Sequence, residues 1–277
     1  MRVSAPSNGS FRDVYHYEML RDSGRLDPFR RAIEKSINDG DVVLDAGTGV
    51  GILAYIAASK ASKVYAIEMD PRLSKIARKS FERSPYRNKF ELIEGDATKV
   101  ELNEQVDLII CEMMDTGLIS EYQVPVMNNL RRFLRADGRI IPHLAVTYAT
   151  LVNERYDFYG VTFRICHYIR TGLPKPIPLS EKKELLEVHF SKDNPVEIEK
   201  EITFDMTSSN VVNSVRLDTK SFLCKDECIE SAETLNQPMV FPLEEDKVVQ
   251  KNEKVKIKIS YKHGGGLDNF RASLLKP

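Results

Sequence analysis

Apolar residues recur along this chain with two different periods, and the change falls near Pro142. Between residues 11 and 38 they follow helical spacing: Val14, Met19 and Leu20, then Phe29, Ala32, Ile33 and Ile37, with a break at Ser23-Gly24. From residue 42 short apolar runs alternate with amphipathic stretches. Runs 42–46, 63–68, 90–94, 106–111 and 138–142 predict strands, and 51–60, 71–83 and 121–135 predict helices. Strands separated by helices at this interval predict a parallel sheet with helices on both faces. Beyond Pro142, segments 144–152, 185–190, 196–204, 211–218 and 254–261 show strand-like alternation, with prolines and turns between them. That pattern predicts a second, smaller, mostly antiparallel β unit. Gly264-Gly265-Gly266 follows a strand and reads as a turn, because no helix start comes after it.

The bulk numbers narrow the possible partners. A chain of 277 residues can bury a sizeable core. Its net charge of −1 argues against nucleic acid or an anionic membrane as an obligatory partner. No apolar run approaches the ~18 residues that span a bilayer. The first ten residues lack the apolar stretch of a secretory signal and read as a flexible lead-in. Cys111, Cys166, Cys224 and Cys228 are too scattered for a disulfide scaffold, and no His or second Cys pair completes a metal pattern. The expectation is a cytoplasmic protein without a metal. The basic run Arg72, Lys75, Arg78, Lys79, Arg83, Arg87 and Lys89 reads as a solvated helix face.

The most informative stretch is Val42-Val43-Leu44-Asp45-Ala46-Gly47-Thr48-Gly49-Val50-Gly51-Ile52. An apolar strand runs into a carboxylate, then glycines at every second position, then a helix start. Glycine lets a ligand approach the backbone. A nicotinamide fingerprint wants its third small residue where Ile52 stands. The loop therefore suits a nucleoside better than a dinucleotide. Asp45, Gly47, Gly49 and Gly51 resemble the first motif of the class I S-adenosylmethionine-dependent methyltransferases. That resemblance implies an α/β fold: a Rossmann-like doubly wound sheet over residues 39–142, a helical segment over 1–38 closing over the cofactor, and a β-rich, barrel-like substrate unit over 143–277.

Glu68 ends the second strand about 20 residues past the first glycine, where an acid can accept from both ribose hydroxyls; it can also cap the helix starting near Pro71. Met69 beside it belongs to the same candidate set. Asp96 and Ala97 close the third strand. They suit an adenine amino group and ring, and Asp96 can equally start a turn.

His16, Met19, Leu20, Asp22 and Arg25 match, position by position, a segment of the protein arginine methyltransferases. The resemblance implies that Arg25 grips the cofactor carboxylate and that Met19 lies near the reactive sulfur. A guanidinium fork suits that task, since it binds a carboxylate bidentately.

The fourth strand delivers Glu112, and Glu121 follows nine residues later across a glycine bend. The pair, with Met114 between, resembles the double-glutamate loop of the same family. Two carboxylates can grip a guanidinium, draw its charge away from the attacking nitrogen, and hold that nitrogen in line. The alternative is a strand-end acid and a helix N-terminal acid.

The resemblance breaks in the β unit. Where the family carries Thr-His-Trp-Lys-Gln, this chain has Glu233-Thr234-Leu235-Asn236-Gln237, and it has no Trp anywhere. His263 is then the candidate partner for Asp22. The reading is an N-methyltransferase using S-adenosylmethionine on a protein or peptide side chain, with a homodimer among its expected partners. The alternatives are a methyltransferase for another nitrogen (His, Lys or a small amine) and a non-catalytic cofactor-binding scaffold. Both glutamates argue against the scaffold, which has no need of them.

Overall fold

A strand whose two faces are both covered reads as a continuous apolar run, and three such strands, 42–46, 63–68 and 106–111, form the centre of a five-stranded sheet. The computed structural model describes residues 9–275, with backbone alone for 9–13, so the lead-in expected over residues 1–8 lies outside the described residues. Helix α1 (Gly9–Arg21) and helix α2 (Ser23–Ser36) come first. They part at Asp22, one residue before the expected break, because its side chain caps α2 by accepting the Arg25 N–H. The phenyl ring of Phe29, with Ala32 and Ile33, buries the other face of α2 completely.

Strands β1 (Val42–Ala46), β2 (Lys63–Glu68), β3 (Phe90–Glu94), β4 (Val106–Cys111) and β5 (Leu134–Ile141) pair in the order β3-β2-β1-β4-β5, all parallel. Helices α3 (Ile52–Ala57), α4 (Pro71–Glu82) and α5 (Gln123–Leu130) connect them. The order reverses between β1 and β4, so a crevice opens beyond their carboxyl ends.

The largest departures from the sequence reading fall between α5 and β5. Helix α5 stops at Leu130, and β5 begins at Leu134 inside the expected helix. A bulge between Leu134 and Arg139 puts polar residues mid-strand, which interrupts the apolar pattern.

From β6 (Leu144–Asn153) onward every pairing is antiparallel. The long strand Asn210–Cys224 lies between β6 and Met239–Val249, while Lys254–Lys262 centres a second sheet. A separate core that includes Leu151, Phe204, Leu217, Phe241 and Ile257 fills this unit. The apolar run after Gln237 is the start of strand Met239–Val249, which continues through Glu244-Glu245-Asp246-Lys247, where the apolar pattern breaks.

Gly51 serves the fold. It starts α3 at φ +94°, and a β-carbon there would lie 2.6 Å from the ring of Phe81, which stacks on Phe90 at 4.1 Å. Gly51→Ala should destabilise the protein by about 2–4 kcal/mol, adding left-handed strain to overpacking. Urea denaturation checks this; an unchanged midpoint would show that Phe81 moves aside freely.

Candidate active site

Four strand ends and helix α1 converge on one cavity of about 420 Å³. His16, Met19, Arg25, Asp45, Gly47, Gly49, Glu68, Met69, Asp96, Ala97, Glu112 and Glu121 all line it. Gly51 does not; its glycine is required by Phe81 instead.

The turn after β1 is tied down by Asp45. Its Oδ2 accepts the Thr48 hydroxyl at 2.6 Å and the Ala54 N–H at 3.0 Å. Burial pushes the Asp45 pKa up to about 6, against the pull of those two bonds. Gly47 and Gly49 adopt φ of +69° and +57°, and a β-carbon on Gly47 would strike the Met113 sulfur. At the end of β2, Glu68 Oε2 accepts the Gly49 N–H at 2.9 Å and Oε1 accepts the Asp70 N–H at 2.8 Å. The carboxylate is thus fixed by backbone on both sides, with lone pairs left over.

Asp96 takes the turn alternative. Its Oδ1 accepts the N–H and hydroxyl of Thr98 at 3.0 and 2.7 Å, and its Oδ2 pairs with Lys99. The Thr98 bonds hold its pKa below the usual carboxylate value.

Arg25 is 4% exposed. Its Nε and Nη2 reach Glu112 Oε2 at 3.0 and 2.6 Å, and its Nη1 donates to the Met19 carbonyl at 3.0 Å. Burial raises the Glu112 pKa, and Arg25 opposes the rise. Gln123 fixes the strand exit: its Nε2 donates to the Cys111 carbonyl at 2.8 Å and its Oε1 accepts the Met113 N–H at 2.9 Å.

The loop between the glutamates is pinned to the β unit. The Gly117 N–H donates to Thr219 Oγ1 at 2.8 Å, and the Thr116 hydroxyl to the Gln237 carbonyl at 2.7 Å. His263 does not reach Asp22, contrary to the sequence expectation. It is buried, and its Nδ1–H donates to the Leu118 carbonyl at 2.8 Å. Asp22 is served by Thr234 instead, whose N–H and hydroxyl both donate to Oδ2. Glu121 carries no hydrogen bond or ion pair on its carboxylate among the described residues. Glu121 is solvent-exposed where it meets the cavity; the protein packed around it, then Asp115 and Glu112, push its pKa up to about 7.

Gln123, Tyr15, Met113, Tyr122 and Thr234 were missed as site residues, although all but Gln123 line the cavity. Met113 and Tyr122 each directly follow a glutamate of the pair, which was a usable signal; Gln123 and Tyr15 carried none.

Residues 43–138, which include the glycine turn, Glu68 and Glu112, match the model of a methyltransferase domain. The chain belongs to the S-adenosylmethionine-dependent methyltransferases and resembles their arginine-modifying branch. An uncharacterized protein of Methanocaldococcus jannaschii is 38% identical over 262 residues, covering 94% of this chain and 96% of that one. An arginine N(omega)-methyltransferase of Streptomyces achromogenes is 33% identical over 146 residues, which are 50% of this chain and 40% of that enzyme. The solved Trypanosoma brucei PRMT1 enzyme–prozyme complex with AdoHcy superimposes with a TM-score of 0.73 at 18% identity, over 88% of this chain and 86% of that one. That likeness shows the shared fold.

Glu121 should tax the stability of the methyltransferase. Its folded pKa of about 7 lies above its ordinary 4.5. The folded state therefore holds the proton more tightly, and stability is lost as pH rises through 7. Glu121→Gln should be more stable than wild type at pH 8 and equal to it below about pH 4.5. Thermal melts across that range check the sign; parallel curves would remove Glu121 from this role.

Proposed function

We propose that the methyltransferase modifies a guanidinium nitrogen on a protein side chain. The observation carrying this reading is that two glutamates face one cavity in different states. Glu112 is held by Arg25, and Glu121 is without a partner among the described residues. The name of the Streptomyces relative supports a guanidinium acceptor.

The cavity fits the cofactor. Glu68, fixed by two backbone N–H groups, would hold the ribose, and the turn at Gly47 and Gly49, which lines the cavity without side chains, would let the nucleoside approach the backbone. Arg25 would hold the carboxylate, with Met19 and His16 along the same wall. Met69 and Ala97 would flank the adenine. Asp96, already engaged in its turn, would contribute its remaining acceptor capacity. When bound, S-adenosylmethionine supplies an electrophilic methyl group on its sulfonium. Glu112 and Glu121 bind and orient the acceptor, whose five N–H donors suit two carboxylates. Glu121, with a pKa of about 7, can hold the proton that the nitrogen sheds.

Residues 1–38 then act as the lid, 39–142 as the cofactor unit and 143–277 as the acceptor unit. Four free cysteines support a cytoplasmic setting. Exposed Phe158, Val161 and Phe163 support a homodimer. Leu235, at the family's Trp position, is 2% exposed and faces the core, so no flat wall stands there for a guanidinium. This favours a narrower acceptor than generic arginine–glycine peptides. Labelled-methyl transfer to a panel of such peptides, histone tails and free amines tests the point; robust dimethylarginine on the glycine–arginine peptides would contradict it.

Glu121→Gln should cut turnover by about 10²–10³ while leaving S-adenosylhomocysteine affinity within a few-fold. For wild type, kcat/KM for the acceptor should fall as pH drops below about 7, where the Glu121 carboxylate is protonated. Pre-steady-state and calorimetric measurements check both. Full activity in the glutamine variant, or a profile flat from pH 6 to 8, would reduce Glu121 to a helix-start acid.

A further inference from the structure

One residue of the β unit is held by the N-terminal helices through all of its polar groups. The N–H and hydroxyl of Thr234 donate to Asp22 Oδ2 at 2.8 and 2.7 Å, and its carbonyl accepts from the Tyr15 hydroxyl at 3.4 Å. The other oxygen of Asp22, Oδ1, accepts the Arg25 N–H at 3.2 Å and so starts α2. Asp22 is 4% exposed, so little water is available to replace a lost donor. The same carboxylate therefore joins the loop at 232–237 to the first turn of the helix that carries Arg25.

Arg25 depends on that first turn. Its guanidinium reaches Glu112 and the Met19 carbonyl from a backbone whose N–H is fixed by Asp22. A second link between α2 and the β unit exists, Arg31 and Lys35 on Glu227. That link joins the second half of α2, about one to three turns beyond Arg25, to Glu227, and its two cations are about half exposed. The buried link is the one that can set an angle.

We propose that Thr234 is a positioning residue for the cofactor carboxylate, acting through Asp22 on Arg25. This rests on the reading that Arg25 holds that carboxylate. The hydroxyl and N–H of a single residue converge on one carboxylate oxygen. The link is thus made without an imidazole, by donors that do not titrate between pH 5 and 8.

The test is calorimetry with two probes. S-adenosylhomocysteine carries the carboxylate, and 5′-methylthioadenosine has the same nucleoside without it. Thr234→Val keeps the shape and the N–H and removes the hydroxyl. It should weaken S-adenosylhomocysteine about tenfold, the effect of one hydrogen bond to a charged group, and leave 5′-methylthioadenosine within twofold. Thr234→Ser should recover most of the loss, and in an Arg25→Ala background Thr234→Val should have no further effect. Equal weakening of both probes would make Thr234 a general structural residue, and unchanged affinity for both would remove it from the site; either overturns the proposal. Wild type binding both probes equally would instead overturn the role given to Arg25, and the proposal with it.

Discussion

The site is organised around one buried ion pair. Arg25 comes from a helix that precedes the sheet, and Glu112 from the end of β4, 87 residues later. Removing water from two charges is expensive, and deleting one partner of such a pair typically costs about 3–5 kcal/mol. The structure meets that cost with geometry. Asp22 sets the start of α2, the Met19 carbonyl takes a third guanidinium donor, and Gln123 clamps the backbone on both sides of Glu112. A guanidinium fixed this way is the group that the proposed function assigns to the cofactor carboxylate.

The polar groups around the cavity fall into two kinds. Those at the ends of β1, β2 and β3 are already committed: Glu68 to two backbone N–H groups, Asp45 to Thr48 and Ala54, Asp96 to Thr98 and Lys99. They are preorganised, and a ligand meets them without moving them. Glu121 is the opposite case. Its loop is braced by Thr219, Gln237 and His263, yet its own carboxylate is left without a partner among the described residues, and the protein around it, then Asp115 and Glu112, raise its pKa.

The parallel sheet was legible because its three central strands are buried on both faces, and the residues at its carboxyl edge line most of the cavity. Asp45, Gly47, Gly49, Glu68 and Glu112 all stand at strand ends, where the topology brings them together. What could not be read were contacts between distant segments. Thr234 lies 212 residues from Asp22 and stands where the family carries its His, yet a hydroxyl there did not look like a replacement; the imidazole of His263 looked the better partner and donates to a loop carbonyl instead. Gly51 shared the period of its two neighbours and was assigned with them, though packing against Phe81 explains it.

The account depends on Arg25 being shared between an internal glutamate and an incoming carboxylate. A crystal structure of the complex with S-adenosylhomocysteine tests that directly. The account predicts the ligand carboxylate on the Arg25 guanidinium, the ribose hydroxyls on Glu68, and Glu112 and Glu121 facing the sulfur from the open side. A ligand whose carboxylate lies elsewhere, with Arg25 still paired to Glu112 alone, would contradict it.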